Sequence, residues 1–457
     1  MKRRHTLAQH IDRYDQAVNK STQQYQDFDL VKSRAAYIRA ATLDRLDEYL
    51  LQFEEKFSAQ GGKVIWAEGK SDARQEILSI LHNHQIRQVA KSQANTHEEV
   101  ELAELLAHAS VNFVETELGS YLLQSDQQKP YHMLDPILHL SKSQVFQIAQ
   151  HRLHYQPDLD QDAQKLTHFI RESIRPKLMQ GQAIITGADF LIADTGSIAI
   201  SENQGNVSLG TAFAPVHIVL VGIDQILPQL ADLDIFWPLL ATSRSGQTIT
   251  PYNLVLSGPR QTHESDGPTE MYVILLDNGR SQVLADPQRR SALRCIHCGA
   301  CHQACPVYKS LGSQAYPGGY QGPIGAVITP LTKGFKKYHH LSFASTLCGA
   351  CAQVCPVKID LPQLLRLNRE QSVREGLTPT REKMAFRLWR RAMQKRKRLN
   401  RYGARMKKIL LNNFLKDAEG WRRSFPEMPR KSFHQIWKEL EKDLPQSPGS
   451  EERNNDD

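Results

Sequence analysis

The hydrophobic pattern changes character along the chain. Through residues 1–60 apolar positions recur at helical spacing. Leu43, Leu46, Tyr49, Leu50 and Phe53 share one face, and Gly61 and Gly62 end the run. This predicts an N-terminal helical segment. Beyond it short β-branched runs alternate with helical ones. Residues 63–67, 86–92 and 111–116 read as strands, and the stretches between them as helices. Residues 143–181 read as mostly helical. Residues 183–206 and 217–223 are again β-branched, punctuated by Gly and Asn, and residues 253–258 and 271–279 read as two late strands. Residues 224–248 read as helix divided by Pro228 and Pro238. Alternating strand and helix predict an α/β domain over 61–282, built on a mostly parallel sheet with helical cover.

The pattern then breaks. Residues 308–344, which include YPGGYQGPIGAVITPL, read as an ordered loop whose Tyr316, Tyr320, Ile324, Val327 and Ile328 could cover a cofactor. A helix follows at DLPQLLRLNRE. Next comes a basic helix with Leu388, Ala392, Leu399, Tyr402, Met406 and Ile409 near one face, interrupted by Lys395 and weakened by Gly403. These define a helical C-terminal region over 371–445. The polar tail, 446–457, is expected to be disordered.

At 457 residues and 40% hydrophobic content, the chain can build two or three cored domains. No run approaches the ~18 apolar residues of a membrane span. The start, MKRRHTLAQHIDRYDQ, lacks the apolar stretch of a secretory signal, and free thiolates in cysteine motifs fit a reducing cytosol, so a cytoplasmic location is expected. The net charge of +8 is concentrated in one place. Residues 381–408 hold thirteen Lys/Arg and one acid, Glu382, a local charge of +12 that leaves the rest of the chain near −4. An acidic partner or an anionic membrane surface would meet that segment, and nucleic acid is a weaker alternative.

All seven cysteines fall between 295 and 355. Cys295, Cys298, Cys301 and Cys305 give C-x2-C-x2-C-x3-C-P, and Cys348, Cys351 and Cys355 give C-x2-C-x3-C-P. Three closely spaced thiolates wrap one cubane cluster, and the cysteine before proline ligates the other. This predicts an α-helical ferredoxin-type domain over 290–370 with two [4Fe-4S] clusters. Cys295, Cys298, Cys301 and Cys355 would hold the first, and Cys305, Cys348 and Cys351 the second. Gly299 and Gly349, each after a ligand, are expected at positive φ. A zinc site would not explain the x3-Cys-Pro endings. Position 345, where a fourth ligand of the second cluster is expected, holds Ser345. Serine oxygen, a histidine, water or a partner's group could complete that cluster, or it could hold three irons. His297 and His302, beside ligands, could tune a cluster by hydrogen bonding or be exposed loop residues.

Several stretches together resemble the lactate-utilisation iron–sulfur protein B family over residues 30–440. They are ETELGSYLLQ at 115–124, ITGADFLIADTGSIAI at 185–200, APVHIVLVGI at 214–223, SGPR at 257–260, DGP at 266–268 and LLDNGR at 275–280. CIHCGACHQACPVY, YQGPIGAVITPL and LCGACAQVCPVKIDLP, with the seven-cysteine pattern, complete the match. The resemblance implies a LUD-type domain similar in fold to sugar-phosphate isomerases and CoA transferases. It also implies two [4Fe-4S] clusters and a role in oxidising L-lactate to pyruvate, allowing growth on lactate. Two companion subunits are implied: a cysteine-rich protein resembling heterodisulfide reductase subunits, and a smaller LUD-type protein. Asp194 departs from the glutamate usual before the TG of the central motif. Gln93, Ala94 and residues 130–140 also depart.

The expected role is thus an electron-transfer subunit of a complex oxidising lactate or a related 2-hydroxy acid. The alternative is a cluster-based regulatory, nucleic-acid-binding switch. Whether the chain itself binds substrate rests on weaker signals. Asp194, Thr195 and Gly196, with Asn203, Gly205 and Asn206, read as one polar Gly-rich turn able to hold a carboxylate or phosphate, or as plain hairpin chemistry. Lys91 could receive a carboxylate or be a solvated surface lysine. No G-x-G-x-x-G after a strand and no P-loop occurs, so no nucleotide site is argued.

Overall fold

The computed structural model describes residues 2–128, 130–131, 135–156, 162–317, 319–395, 431 and 433–443. The chain divides into two units, Met1–Glu375 and Gly376–Asp457.

The first unit begins with α1 (Lys2–Ser21), α2 (Phe28–Asp44) and α3 (Leu46–Ala59). Leu46, Leu50, Phe53 and Phe57 form the buried stripe of α3, as their spacing predicts. There follow β1 (Lys63–Ala67), α4 (Lys70–Asn83), β2 (Gln88–Lys91), α5 (Asn95–Glu99), α6 (Leu102–His108), β3 (Asn112–Glu115), α7 (Leu118–Ser125), α8 (Lys142–Leu153) and α9 (Ala163–Met179). The next are β4 (Ala183–Thr186), β5 (Phe190–Ile192), β6 (Ser197–Glu202), α10 (Asn206–Phe213), β7 (Val216–Gly222), β8 (Ile226–Leu227), α11 (Leu233–Ser245), β9 (Tyr252–Leu256), β10 (Glu270–Leu276) and α12 (Arg280–Leu284).

Six strands make an all-parallel sheet in the order β1-β10-β7-β4-β2-β3. Its centre is covered on both faces. Along β7, Val219 and Val221 join one apolar cluster while Ile218 and Leu220 join another, so the pleat feeds two cores. A second sheet, β8-β5-β6-β9, has antiparallel β5–β6 and β6–β9 pairs. Its apolar side chains Phe190, Ile192 and Ala199 share a third core with Phe236 and Leu240 of α11, and with Ile324, Val327 and Leu364 of the cysteine-bearing segment. That segment is therefore packed on the α/β body through continuous apolar contact.

The cysteine-bearing segment contains α13 (Ala300–Ala304), α14 (Pro306–Leu311), α15 (Gly322–Lys333), α16 (Phe335–Tyr338), α17 (Ala350–Gln353) and α18 (Leu361–Arg374). The spacer is not a loop, because α15 occupies its middle. Pro323 lies in the first turn of α15, where a missing N–H costs nothing, and residues 322–330 are all buried. Packing on every side supports a helix whose Gly and Pro content argued against one. Likewise Pro238 lies inside α11 and does not divide it, whereas Pro228 follows β8.

The second unit holds α19 (Thr380–Met393) and α20 (Phe433–Asp443) among its described residues. Met384, Leu388 and Trp389 of α19 are exposed beside Arg387, Arg390 and Arg391. Leu399, Tyr402, Gly403, Met406, Ile409 and the tail lie outside the described residues. Among the described residues no helix is long and apolar enough to cross a membrane.

Candidate metal centre and the adjoining cavity

Two short loops with matching backbones carry the cysteines. In the first, His297 (φ 55) precedes Cys298 and Gly299 (φ 74) follows it; in the second, Leu347 (φ 54) precedes Cys348 and Gly349 (φ 86) follows it. Position by position, Ser345 therefore stands where the first loop has Cys295. The Ser345 hydroxyl accepts from the Leu347 N–H at 3.1 Å, and its carbonyl accepts from Arg369 at 2.7 Å. The second loop thus keeps the backbone of the first with serine in the place of its first cysteine. Each loop leads into a short helix, and these helices, α13 and α17, pack on each other.

The packing brings the two cysteine runs together. Cys295, Cys298 and Cys301 line one cavity with Cys355 of the second run, among Ile296, Ile324, Val357, Ile359 and Leu361. Burial, and then neighbouring thiolates, push the Cys295 and Cys301 thiols well up; burial and Cys355 push Cys298 up to about 12. Burial, with Cys305 and Cys348 nearby, pushes Cys351 up to about 11. Cys348 is exposed, and the Ala350 N–H holds its thiol below the usual range.

This donor chemistry fits iron–sulfur clusters. Buried sulfurs crowded in an apolar cavity cannot all ionise unaided, and a cationic iron core removes that conflict. A single zinc ion needs its ligands to converge on one point. Among the described residues no group of three His, Cys, Asp or Glu side chains does so. The sulfurs also receive backbone N–H groups, from Tyr308 to Cys305 Sγ at 3.5 Å and from Ile359 to Cys355 Sγ at 3.3 Å. His297 is no exposed loop residue. It lines the cavity with its ring edge-on to Tyr320, and burial pushes it down to about 4. His302 is buried and stacks on Tyr308.

Buried charge fixes the first loop. Arg39, fully buried, donates to the carbonyls of Ile226 (2.8 Å), Asp224 (2.5 Å), Leu293 (2.9 Å) and Arg294 (3.3 Å), which ties α2 to the residues before Cys295. Arg280 donates to both Glu99 oxygens (2.6 and 3.1 Å), to Asp224 Oδ1 (2.6 Å) and to the Tyr320 hydroxyl (2.8 Å). Burial alone would push Glu99 and Asp224 up, yet Arg280 holds both below the usual carboxylate range. Gln225 extends this network, donating to Asp224 (2.8 Å) and to the Cys295 carbonyl (3.0 Å).

Beside the cysteine cavity lies a second, polar one of about 270 Å³. It opens at the carboxyl ends of β2, β4 and β7, and Asn95 and His297 line both cavities. Sequence order reverses between β2 and β4, and such switch points are where open α/β sheets bind ligands.

The predicted substrate residues divide. Asn203 and Asn206 line this cavity. Asn203 accepts from Gln247 at 3.0 Å, Asn206 donates to the Thr116 carbonyl at 2.5 Å, and Gly205 (φ 71) begins α10. Asp194, Thr195 and Gly196 sit at the opposite end of β6, so the six residues do not form one turn. Asp194 accepts from the Leu230 N–H at 3.0 Å, and a Cβ on Gly196 (φ +64) would lie 2.4 Å from the Phe57 nitrogen. Their turn is shaped by contact with α3. Lys91 is not a solvated surface lysine. It is 2% exposed and paired with Glu115 at 2.8 Å. Sequence reasoning passed over Arg244 and Gln225, which line the polar cavity without any motif to flag them, and Glu117, which lines it from within the ETELGSYLLQ stretch. Burial pushes the Glu117 carboxyl up to about 7.

A parallel α/β body joined to a double cysteine run defines an iron–sulfur protein. The LUD domain family matches residues 50–276, and the 4Fe-4S dicluster domain family matches residues 291–359. The Lactate utilization protein B 2 of Bacillus mycoides is 37% identical over 353 residues, 77% of this chain and 74% of that one. The Lactate utilization protein B of Bacillus cytotoxicus is 34% identical over 417 residues, 89% and 87% of the two chains. The uncharacterized electron transport protein YkgF of Escherichia coli K12 is 39% identical over 358 residues, 78% and 75%. The chain belongs to the lactate utilization protein B family.

Proposed function

We propose that this chain is the electron-transfer subunit of a cytoplasmic complex that oxidises L-lactate to pyruvate. Cys295, Cys298, Cys301 and Cys355 hold one [4Fe-4S] cluster, and Cys305, Cys348 and Cys351 hold a second that has only three cysteine ligands. The observation that carries this reading is a cavity lined by thiols from both cysteine runs. When bound, such clusters supply one-electron carriers whose potentials follow hydrogen bonding to sulfur, charge and exposure.

The chain's own residues would set those conditions. Ile296, Ile324, Val357, Ile359 and Leu361 exclude water from the first site. The Ile359 N–H donates to Cys355 Sγ and favours the reduced state by stabilising negative charge on sulfur. Gln225 fixes the Cys295 backbone. The exposed Cys348 puts the second site at the surface, which suits delivery to a partner. The partners on this reading are a cysteine-rich, heterodisulfide-reductase-like subunit and a smaller LUD-type subunit. The basic α19 would dock against an acidic partner or an anionic membrane surface, its exposed Leu388 and Trp389 adding apolar contact.

Deleting the gene in a host that uses L-lactate as its carbon source is expected to abolish growth on lactate while leaving growth on pyruvate intact. Complementation with the wild-type chain should restore it. Unimpaired growth on lactate after deletion would overturn the reading.

A further inference from the structure

The two cysteine loops repeat one device, and Ser345 takes part in it. In the first loop burial pushes the Cys295 and Cys298 thiols up, and the backbone N–H two residues on, from His297 and Ala300, pulls each the other way. In the second loop the Ala350 N–H favours the Cys348 thiolate. Ser345 continues the series, because the Leu347 N–H donates to its Oγ at 3.1 Å. Serines often take such a bond in ordinary turns. Here it falls at the ligand position of a loop whose backbone matches that of the first, with His297 at φ 55 and Leu347 at φ 54. The Ser345 oxygen is therefore aimed as the Cys295 sulfur is. The anchoring is repeated as well. Arg39 donates to the Leu293 (2.9 Å) and Arg294 (3.3 Å) carbonyls just before Cys295. Arg369, on α18, donates to the Ser342 (2.8 Å) and Ser345 (2.7 Å) carbonyls and lies over the Phe343 ring at 5.5 Å. Each guanidinium fixes the chain entering its loop, as a ligand position requires. Among the described residues the Ser345 hydroxyl donates to no protein group, so its proton is not committed elsewhere.

We propose that the side-chain oxygen of Ser345 is the fourth protein ligand of the second cluster, beside the thiolates of Cys305, Cys348 and Cys351. The proposal rests on the two-cluster reading and supplies the ligand which that reading leaves open. On ligation the hydroxyl loses its proton to solvent, as the thiols do, and the charge of the iron stabilises the alkoxide as it does a bound hydroxide. Cys348 is exposed and Ser345 only half-buried, so this corner of the site faces water. A tethered oxygen there keeps solvent and chelators from the iron that three cysteines leave uncovered. Oxygen is a harder donor than sulfur and favours the more oxidised metal, so this cluster should sit at a lower potential than one held by four thiolates.

The test is EPR with electron–nuclear double resonance on the full-length protein, purified without oxygen, reduced, and transferred to water carrying a magnetic oxygen isotope. The signal to follow is the one missing from Cys351→Ser. In the wild type it should show no coupling to the labelled oxygen. In Ser345→Ala water should take the vacated position and the coupling should appear. Mild oxidation of that variant with ferricyanide should release one iron from the second cluster while its sulfide is kept. Ser345→Cys should show no coupling, keep its iron under the same oxidation, and titrate at a higher potential than the wild type. Coupling in the wild type would show solvent at that corner and overturn the proposal. So would a Ser345→Ala signal that is uncoupled and unchanged, which would mean that another side chain fills the position. Should Ser345→Ala not assemble the cluster, the wild type and Ser345→Cys decide the matter, and equal potentials for the two overturn the proposal. Wild-type protein without the second signal would bring down the two-cluster reading and the proposal together. A normal second signal indifferent to Ser345 would remove this ligand alone.

Discussion

Cys355→Ser is expected to remove the cluster held by the first cysteine run, although Cys355 belongs to the second. Its thiol shares a cavity with Cys295, Cys298 and Cys301, and that arrangement makes the two runs interdependent. Iron content should fall by about half, one of two four-iron clusters. The EPR signal lost on reduction should be the one lost in Cys298→Ser. The signal lost in Cys351→Ser should be the other one. If each run held its own cluster, Cys355→Ser would instead match Cys351→Ser. That result would break the assignment while leaving iron–sulfur chemistry in place.

The largest effect on stability should come from Arg280→Met. Arg280 is 2% exposed and compensates two buried carboxylates, Glu99 and Asp224. Removing it strands both, which typically destabilises by about 3–5 kcal/mol. The pH dependence separates this from simple loss of packing. In the wild type Arg280 holds both carboxyls below their ordinary range, so their contribution is full near neutrality and lost as pH falls through those depressed values. In the variant burial, the largest influence on both groups, is opposed by the weaker pull of Arg39 and His297 on Asp224 and of Lys333 on Glu99, so the carboxyl pKa values should rise above those of the unfolded chain. Its remaining stability should then be greatest in acid and fall as pH rises. Denaturant unfolding of the two proteins between about pH 5 and 8 checks this. A deficit independent of pH would show that the carboxylates are not what Arg280 compensates. Because Arg280 also donates to Tyr320, on the wall of the thiol-lined cavity, the variant should bind its clusters less firmly.

The parallel sheet was legible in the sequence because its strands lie in short β-branched runs separated by periodic helices. The stripe of α3 was legible for the same reason. The grouping of Cys355 with Cys295, Cys298 and Cys301 in one cavity was legible because cysteine spacing is a local property of the chain. What escaped was decided by tertiary contact. α15 is helical despite Gly322, Pro323, Gly325 and Pro330 because neighbours bury it on all sides. Asp194 and Asn206 seemed to belong to one turn because a six-residue strand between them was not recognised as carrying them to opposite ends. Lys91 reads as an ordinary lysine until Glu115, on the adjacent strand, is seen 2.8 Å away. The polar cavity collects Asn95, Gln225, Arg244 and His297 from distant parts of the chain, so no local pattern could announce it. Its place at the switch point follows only from strand order.

The central claim, that seven cysteines on two interlocked loops hold a pair of cubane clusters, is tested most directly by metal and acid-labile sulfide analysis of the wild-type protein purified without oxygen. About eight iron and eight sulfide per chain are expected, with a reducible EPR signal from each cluster. Stoichiometric zinc, or protein without inorganic sulfide, would contradict it.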